Sequence, residues 1–216
     1  MTLDSIQGDV ISYLKTIPEE KWDAYILRQD MFYRHYTEEM CASIVQKAKE
    51  AGRRKAFEIL TEGADINELI RKYGLNVKDA EDKEFIMPDS INFAEYHDGN
   101  ILISKRLLEV LEQKKELLRA GLGDFKVWDV LFYHELYHHF EDIEDHLENA
   151  GITYEVKPLP FIKKKISPES AGEIAAYEFA RQMQKIDFHP YILGIIGLYE
   201  YKKETAEKII EDIMKL

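Results

Sequence analysis

The stretch Val127-Trp128-Asp129-Val130-Leu131-Phe132-Tyr133-His134-Glu135-Leu136-Tyr137-His138 carries H-E-x-x-H inside an apolar periodicity. Trp128, Phe132, Leu136, Ile143 and Leu147 form one stripe, which predicts a helix from Asp124 towards Leu147. Val127 and Leu131 lead onto the histidine face. On a helix, histidines four positions apart project from the same side and can hold one Zn²⁺. Glu135 sits about 100° further round, where it reaches water at such a metal without being a ligand. That places it as the general base of a hydrolysis. Seven histidines and 26 glutamates in 216 residues would yield the pattern by chance only roughly 0.03 times.

Two histidines need a third protein ligand. Position 144, where a metzincin would carry histidine, is Glu144. His139 points about 100° away from His138 and is a poor ligand to the same ion. His146 reads as a surface residue and His97 as a turn residue. The next helix offers carboxylates: Glu169, Gly172, Glu173, Ala176 and Ala180 share one face. Small residues around Glu173 permit close approach, and an acid on such a face calls for a compensating cation. Glu173 is the first candidate. Glu169, four residues back on the same face, is its rival, although the helix dipole alone explains an acid in a first turn.

The first eighty residues read as helices. The spacing predicts Ser5–Thr16, then Thr37–Thr61 with a break near Gly52, then Asp65–Tyr73 with Asp65 as N-cap and Gly74 past its end. Ile66 to Leu75 could suggest a helix-turn-helix, but no basic recognition helix follows. Ile91, Phe93 and Glu95, then Ile101 to Ser104, read as two strands around an Asp98-Gly99 turn. Asn100–Ser104 reads as an edge strand to which an extended peptide could add antiparallel. Ser104 caps a helix over Leu107–Ala120. Lys157–Lys165 reads as a solvated connection. Ser167-Pro168 opens a helix to about Gln184, and two short helices follow Pro190. The class is α+β, mostly α. Residues 1–80 form an N-terminal helical region packed on a core at 81–187, and 188–216 are C-terminal helices.

Composition sets bounds. Apolar residues make up 45% and charged residues 32%, a globular profile. A net charge of −12 argues against nucleic acid as the direct partner. Cys41 is the single cysteine, which excludes thiolate-rich metal sites. The start is acidic and polar, not signal-like, and the longest apolar run, Tyr191–Tyr199, is too short to cross a bilayer. A cytoplasmic location away from membranes is expected.

His134-Glu135-Leu136-Tyr137-His138 with the downstream Glu-x-x-Ala-x-x-Phe-Ala of Glu173–Ala180 resembles the ImmA/IrrE family of zincin-like metalloproteases. The likeness covers roughly Ala64–Gln184. It implies a zincin-like core of a small twisted sheet plus the active-site helix, of the gluzincin type. It also implies zinc held by His134, His138 and Glu173, with Glu135 as base. Members are cytoplasmic proteases, some of which cleave helix-turn-helix repressors. Two positions depart from the pattern: Tyr177 stands where the family has Asn or Asp, and Tyr137 where Gly is common. Tyr133, Tyr137 and Tyr154 are candidates for polarising a scissile carbonyl. Three readings compete: a zinc peptidase acting on a specific protein or peptide, a catalytically silent metal-binding regulator, and a helical interaction protein in which the motif is accidental.

Overall fold

The computed structural model describes residues 7–80, 92–144, 146–159 and 161–216. Ser5, Ile6 and Ile91, assigned above to a helix and a strand, lie outside these residues. The chain is mostly helical with a small sheet. It runs α1 (Gln7–Thr16), α2 (Glu19–Arg28), a 3-10 turn (Tyr33–His35), α3 (Glu38–Glu62), α4 (Ile66–Tyr73), β1 (Asn76–Ala80), β2 (Ala94–His97) and β3 (Asn100–Ser104). There follow α5 (Lys105–Glu112), α6 (Lys115–Leu122), α7 (Val127–Glu144), α8 (His146–Asn149), β4 (Tyr154–Leu159), β5 (Ile162–Ile166), α9 (Glu169–Gln184), α10 (Tyr191–Tyr201) and α11 (Lys203–Met214). No described helix is long and apolar enough to cross a membrane.

The core is built on α9, which packs between α3 and α7. Thr37 caps α3 by accepting from the Met40 amide, and Gly63 ends it in the left-handed region at φ 69°. Its buried stripe is Ile44, Ala48, Ala51, Gly52, Ala56 and Ile59, with Lys55 buried among them. The helix is continuous through Gly52, where the sequence suggests a break. Glycine is there for proximity: a Cβ would collide with the Ala175 carbonyl oxygen of α9. Gly52→Ala should therefore push the two helices apart and cost about 1–3 kcal/mol of stability, the usual range for overpacking. Urea unfolding checks this, and an unchanged midpoint would mean that the contact relaxes freely.

Helix α2, which the sequence reading passes over, is tied to this pair by charge. Lys49 contacts Glu19 and Asp23, while Arg181 bridges Glu19 and Glu178 at 2.7 Å each. Asp23 and Glu178 are buried, so their partners satisfy charges that could not stand alone there.

The three-stranded sheet has the order β1-β3-β2, with β1 parallel and β2 antiparallel to β3. Asp98 and Gly99, at φ 45° and 76°, make the tight turn expected of Asp-Gly. The sheet corrects two expectations. Asn100–Ser104 is not an edge: it pairs on both sides and buries Ile101 and Ile103. The outer strand on that side, among the described residues, is β2. The helical first eighty residues also end in a strand, β1, so the sheet draws on chain from before residue 81.

Residues 105–122 form two helices, with Ser104 capping the first through the Leu107 amide. Helix α7, which carries H-E-x-x-H, begins at Val127 rather than Asp124, and α9 starts after Pro168 with no side-chain cap. Lys157–Leu159 and Ile162–Lys165 are not a connection; they lie in the antiparallel strands β4 and β5.

Candidate metal centre

Helix α7 has one face in the core and one in a cleft. Phe132, Leu136 and Phe140 are fully buried, Trp128 is half-buried, and Ile143 at the far end is exposed. This apolar anchoring turns His134 and His138 together towards α9. Their rings lie 4.9 Å apart and their Nε2 atoms 3.2 Å apart. On α9, Glu173 Oε2 is 3.3 Å from His134 Nε2 and Oε1 is 3.4 Å from His138 Nε2. One ligand atom from each of the three residues falls within 4.8 Å of the others, and no further such group occurs among the described residues.

The donor set fits a zinc ion. Two imidazole nitrogens facing each other at this distance need a proton or a cation between them. Two histidines and a glutamate on facing helices are the ligand set of a catalytic zinc with one position left open. The rival ligand, Glu169, is exposed in the first turn of α9 and is not part of the cluster.

Electrostatics agree with the geometry. Burial works to raise the Glu173 pKa, yet hydrogen bonds and positive charge from His134 and His138 hold it well below the usual carboxylate range. Burial likewise opposes a charged His138, but Glu141 and Glu173 hold its pKa well above the ordinary value. Glu135 behaves differently. It is 7% exposed, and burial raises its pKa against the pull of the two histidines. A carboxylate shifted upward and outside the three-residue cluster suits proton transfer.

These residues open into a cleft of about 400 Å³. Its walls are Phe93, Glu95 and Tyr96 beside the outer strand, Val130 and Leu131 from α7, Tyr177 from α9, and Pro190 and Leu193 at the start of α10. The tyrosines differ from those expected. Tyr137 is fully buried with its hydroxyl 2.8 Å from His146 Nδ1, Tyr133 packs against Phe132 and Phe179, and Tyr154 bonds Ser43. None of the three lines the cleft. Tyr96 and Tyr177 do. The Tyr177 ring is 4.4 Å from the His134 ring, and burial, reinforced by the charge of Glu173, pushes its pKa well above 10. Tyr96 accepts from the Gly99 amide and donates to Asp142, both at 3.0 Å, and lies 3.1 Å from His139 Nδ1.

Three other histidines sort by surroundings. His139 is buried against Tyr96 and points away from the ligands. His146, expected at the surface, is buried as the partner of Tyr137. His97 is exposed in the turn and pairs with Asp98. Sequence reasoning missed Tyr96, Tyr177 and Glu141, the last being 2.5 Å from His138 Nδ1. The i, i+3 spacing of His138 and Glu141 was a signal that could have found it. No family model, curated protein or solved structure matches this chain.

Proposed function

We propose that this chain is a zinc-dependent metallopeptidase of the zincin kind, in keeping with the likeness of its two motifs to the ImmA/IrrE family. The observation that carries the reading is the convergence of His134, His138 and Glu173 in a cleft that also holds a buried, non-ligating Glu135. Zn²⁺ held there supplies a Lewis acid and lowers the pKa of water towards neutrality. Glu135 takes the proton of the attacking water and passes it to the departing amine nitrogen. Leu131, Leu193 and Phe93 exclude bulk water around that transfer. Tyr177, which lines the cleft beside His134 and is kept protonated by burial, is the candidate to donate to a developing oxyanion.

A peptide substrate lies extended beside β2, whose outer edge replaces Asn100–Ser104 as the pairing strand. The cleft and the open hollow that shares Tyr96 and His138 with it are lined by Glu95, Asp98, Glu141 and Asp142, with no lysine or arginine among the described residues. Such walls favour a segment bearing lysine or arginine near the scissile bond. The family likeness points to a cytoplasmic regulator, such as a helix-turn-helix repressor, as the source of that segment.

The test is a randomised peptide library exposed to zinc-loaded protein, with products sequenced by mass spectrometry. Cleavage sensitive to a chelator, with lysine or arginine enriched beside the cut, is expected. A library left intact overturns the peptidase, and cleavage preferring acidic neighbours overturns the substrate class.

A further inference from the structure

Glu141 lies one turn beyond His138 on α7 and takes no part in the reaction as proposed. Its Oε2 is 2.5 Å from His138 Nδ1, the ring nitrogen on the side away from the three converging ligand atoms. The two side chains are similarly shielded, at 21% and 20% exposed. A surface ion pair at this spacing would contribute little. Here a second helix is shaped around the contact. Gly172, the residue before Glu173 on α9, faces Glu141 so closely that a Cβ would collide with both carboxylate oxygens. The helix that brings the third ligand thus leaves a gap for this acid.

The other histidine lacks such a partner. His134 Nδ1 is buried and, among the described residues, has no hydrogen-bond partner. Its ring is held by packing against Tyr177 instead. The two histidines are therefore positioned by different means, one by a charged acceptor and one by an aromatic face.

We infer that Glu141 is a positioning residue for the metal centre, holding His138 through Nδ1 so that Nε2 faces the ion, and that Gly172 provides the clearance it needs. The inference rests on the zinc reading above. An acceptor at Nδ1 fixes the proton there, leaves the Nε2 lone pair free, locks the ring orientation and makes the ligand more basic.

Zinc dissociation constants of the whole chain, measured by competition with a chromogenic chelator, test this without reference to turnover. Glu141→Ala should weaken binding by roughly 10- to 100-fold, the usual cost of losing an outer partner of a ligand. Glu141→Gln keeps an acceptor oxygen without the charge and should recover part of the loss. Gly172→Ala should weaken zinc binding in the wild-type background yet add little to Glu141→Ala, because both changes remove the same contact. Circular dichroism confirms that each variant is folded. Wild-type affinity in Glu141→Ala, or a Gly172→Ala effect equal in both backgrounds, overturns the assignment alone. Wild-type protein that takes up no zinc overturns the zinc reading with it.

Discussion

Glu135→Gln is expected to keep its zinc and lose its chemistry. The change is nearly isosteric, and Glu135 is not one of the three residues whose ligand atoms converge. Metal content and melting temperature should stay close to wild type. What disappears is the carboxylate that takes a proton. Burial pushes the Glu135 pKa upward, towards the range in which a base is effective at neutral pH, and an amide in its place cannot accept that proton. Peptide hydrolysis should fall by about 10²- to 10⁴-fold, the usual worth of a positioned acid–base group. Rates measured against the chelated wild type decide the matter. Turnover retained in Glu135→Gln would assign the base to another group.

The second large effect separates two acids on one helix. Glu173→Ala removes one of the three proposed ligands and should weaken zinc binding by more than the roughly 10- to 100-fold expected of an outer partner. It also leaves the two imidazole nitrogens, 3.2 Å apart, without the carboxylate that now faces both. Glu169→Ala, at an exposed first-turn position, should leave zinc content unchanged. Elemental analysis after gel filtration distinguishes the two. Zinc lost from Glu169→Ala and kept by Glu173→Ala would reverse the ligand assignment.

What could be read from the chain follows the range of each signal. His134, Glu135 and His138 share one helix, so fixed helical geometry delivers their relation directly. Glu173 was legible one step less directly, through the small residues that let α9 come close. The Asp98-Gly99 hairpin and the Asp65 cap were legible because each is settled within a few residues. Whether β3 is an edge or a centre depends on β1, which arrives from the other side of a long connection and whose Asn76-Val77-Lys78-Asp79-Ala80 carries little strand preference. The β4–β5 hairpin was hidden because residues 162–165 of β5 are exposed and mostly lysine, which erases the alternation that marks a half-buried strand. His146 and Tyr137 misled for another reason. Each satisfies the other's polar atom, and partnership of that kind leaves no trace in spacing.

The close seat of α3 on α9 also has a consequence for how the chain is made. Emerging from the ribosome, α3 is complete at Glu62, whereas α9 is complete only at Gln184. At roughly 5–20 residues per second, the covered face of α3 waits on the order of ten seconds for its mate. A stripe of leucine or phenylalanine held open that long would invite aggregation. Between Ile44 and Ile59 its buried residues other than Lys55 are Ala48, Ala51, Gly52 and Ala56, which present little apolar area each. The residues that let two helices touch in the finished protein also make the waiting helix weakly adhesive during synthesis.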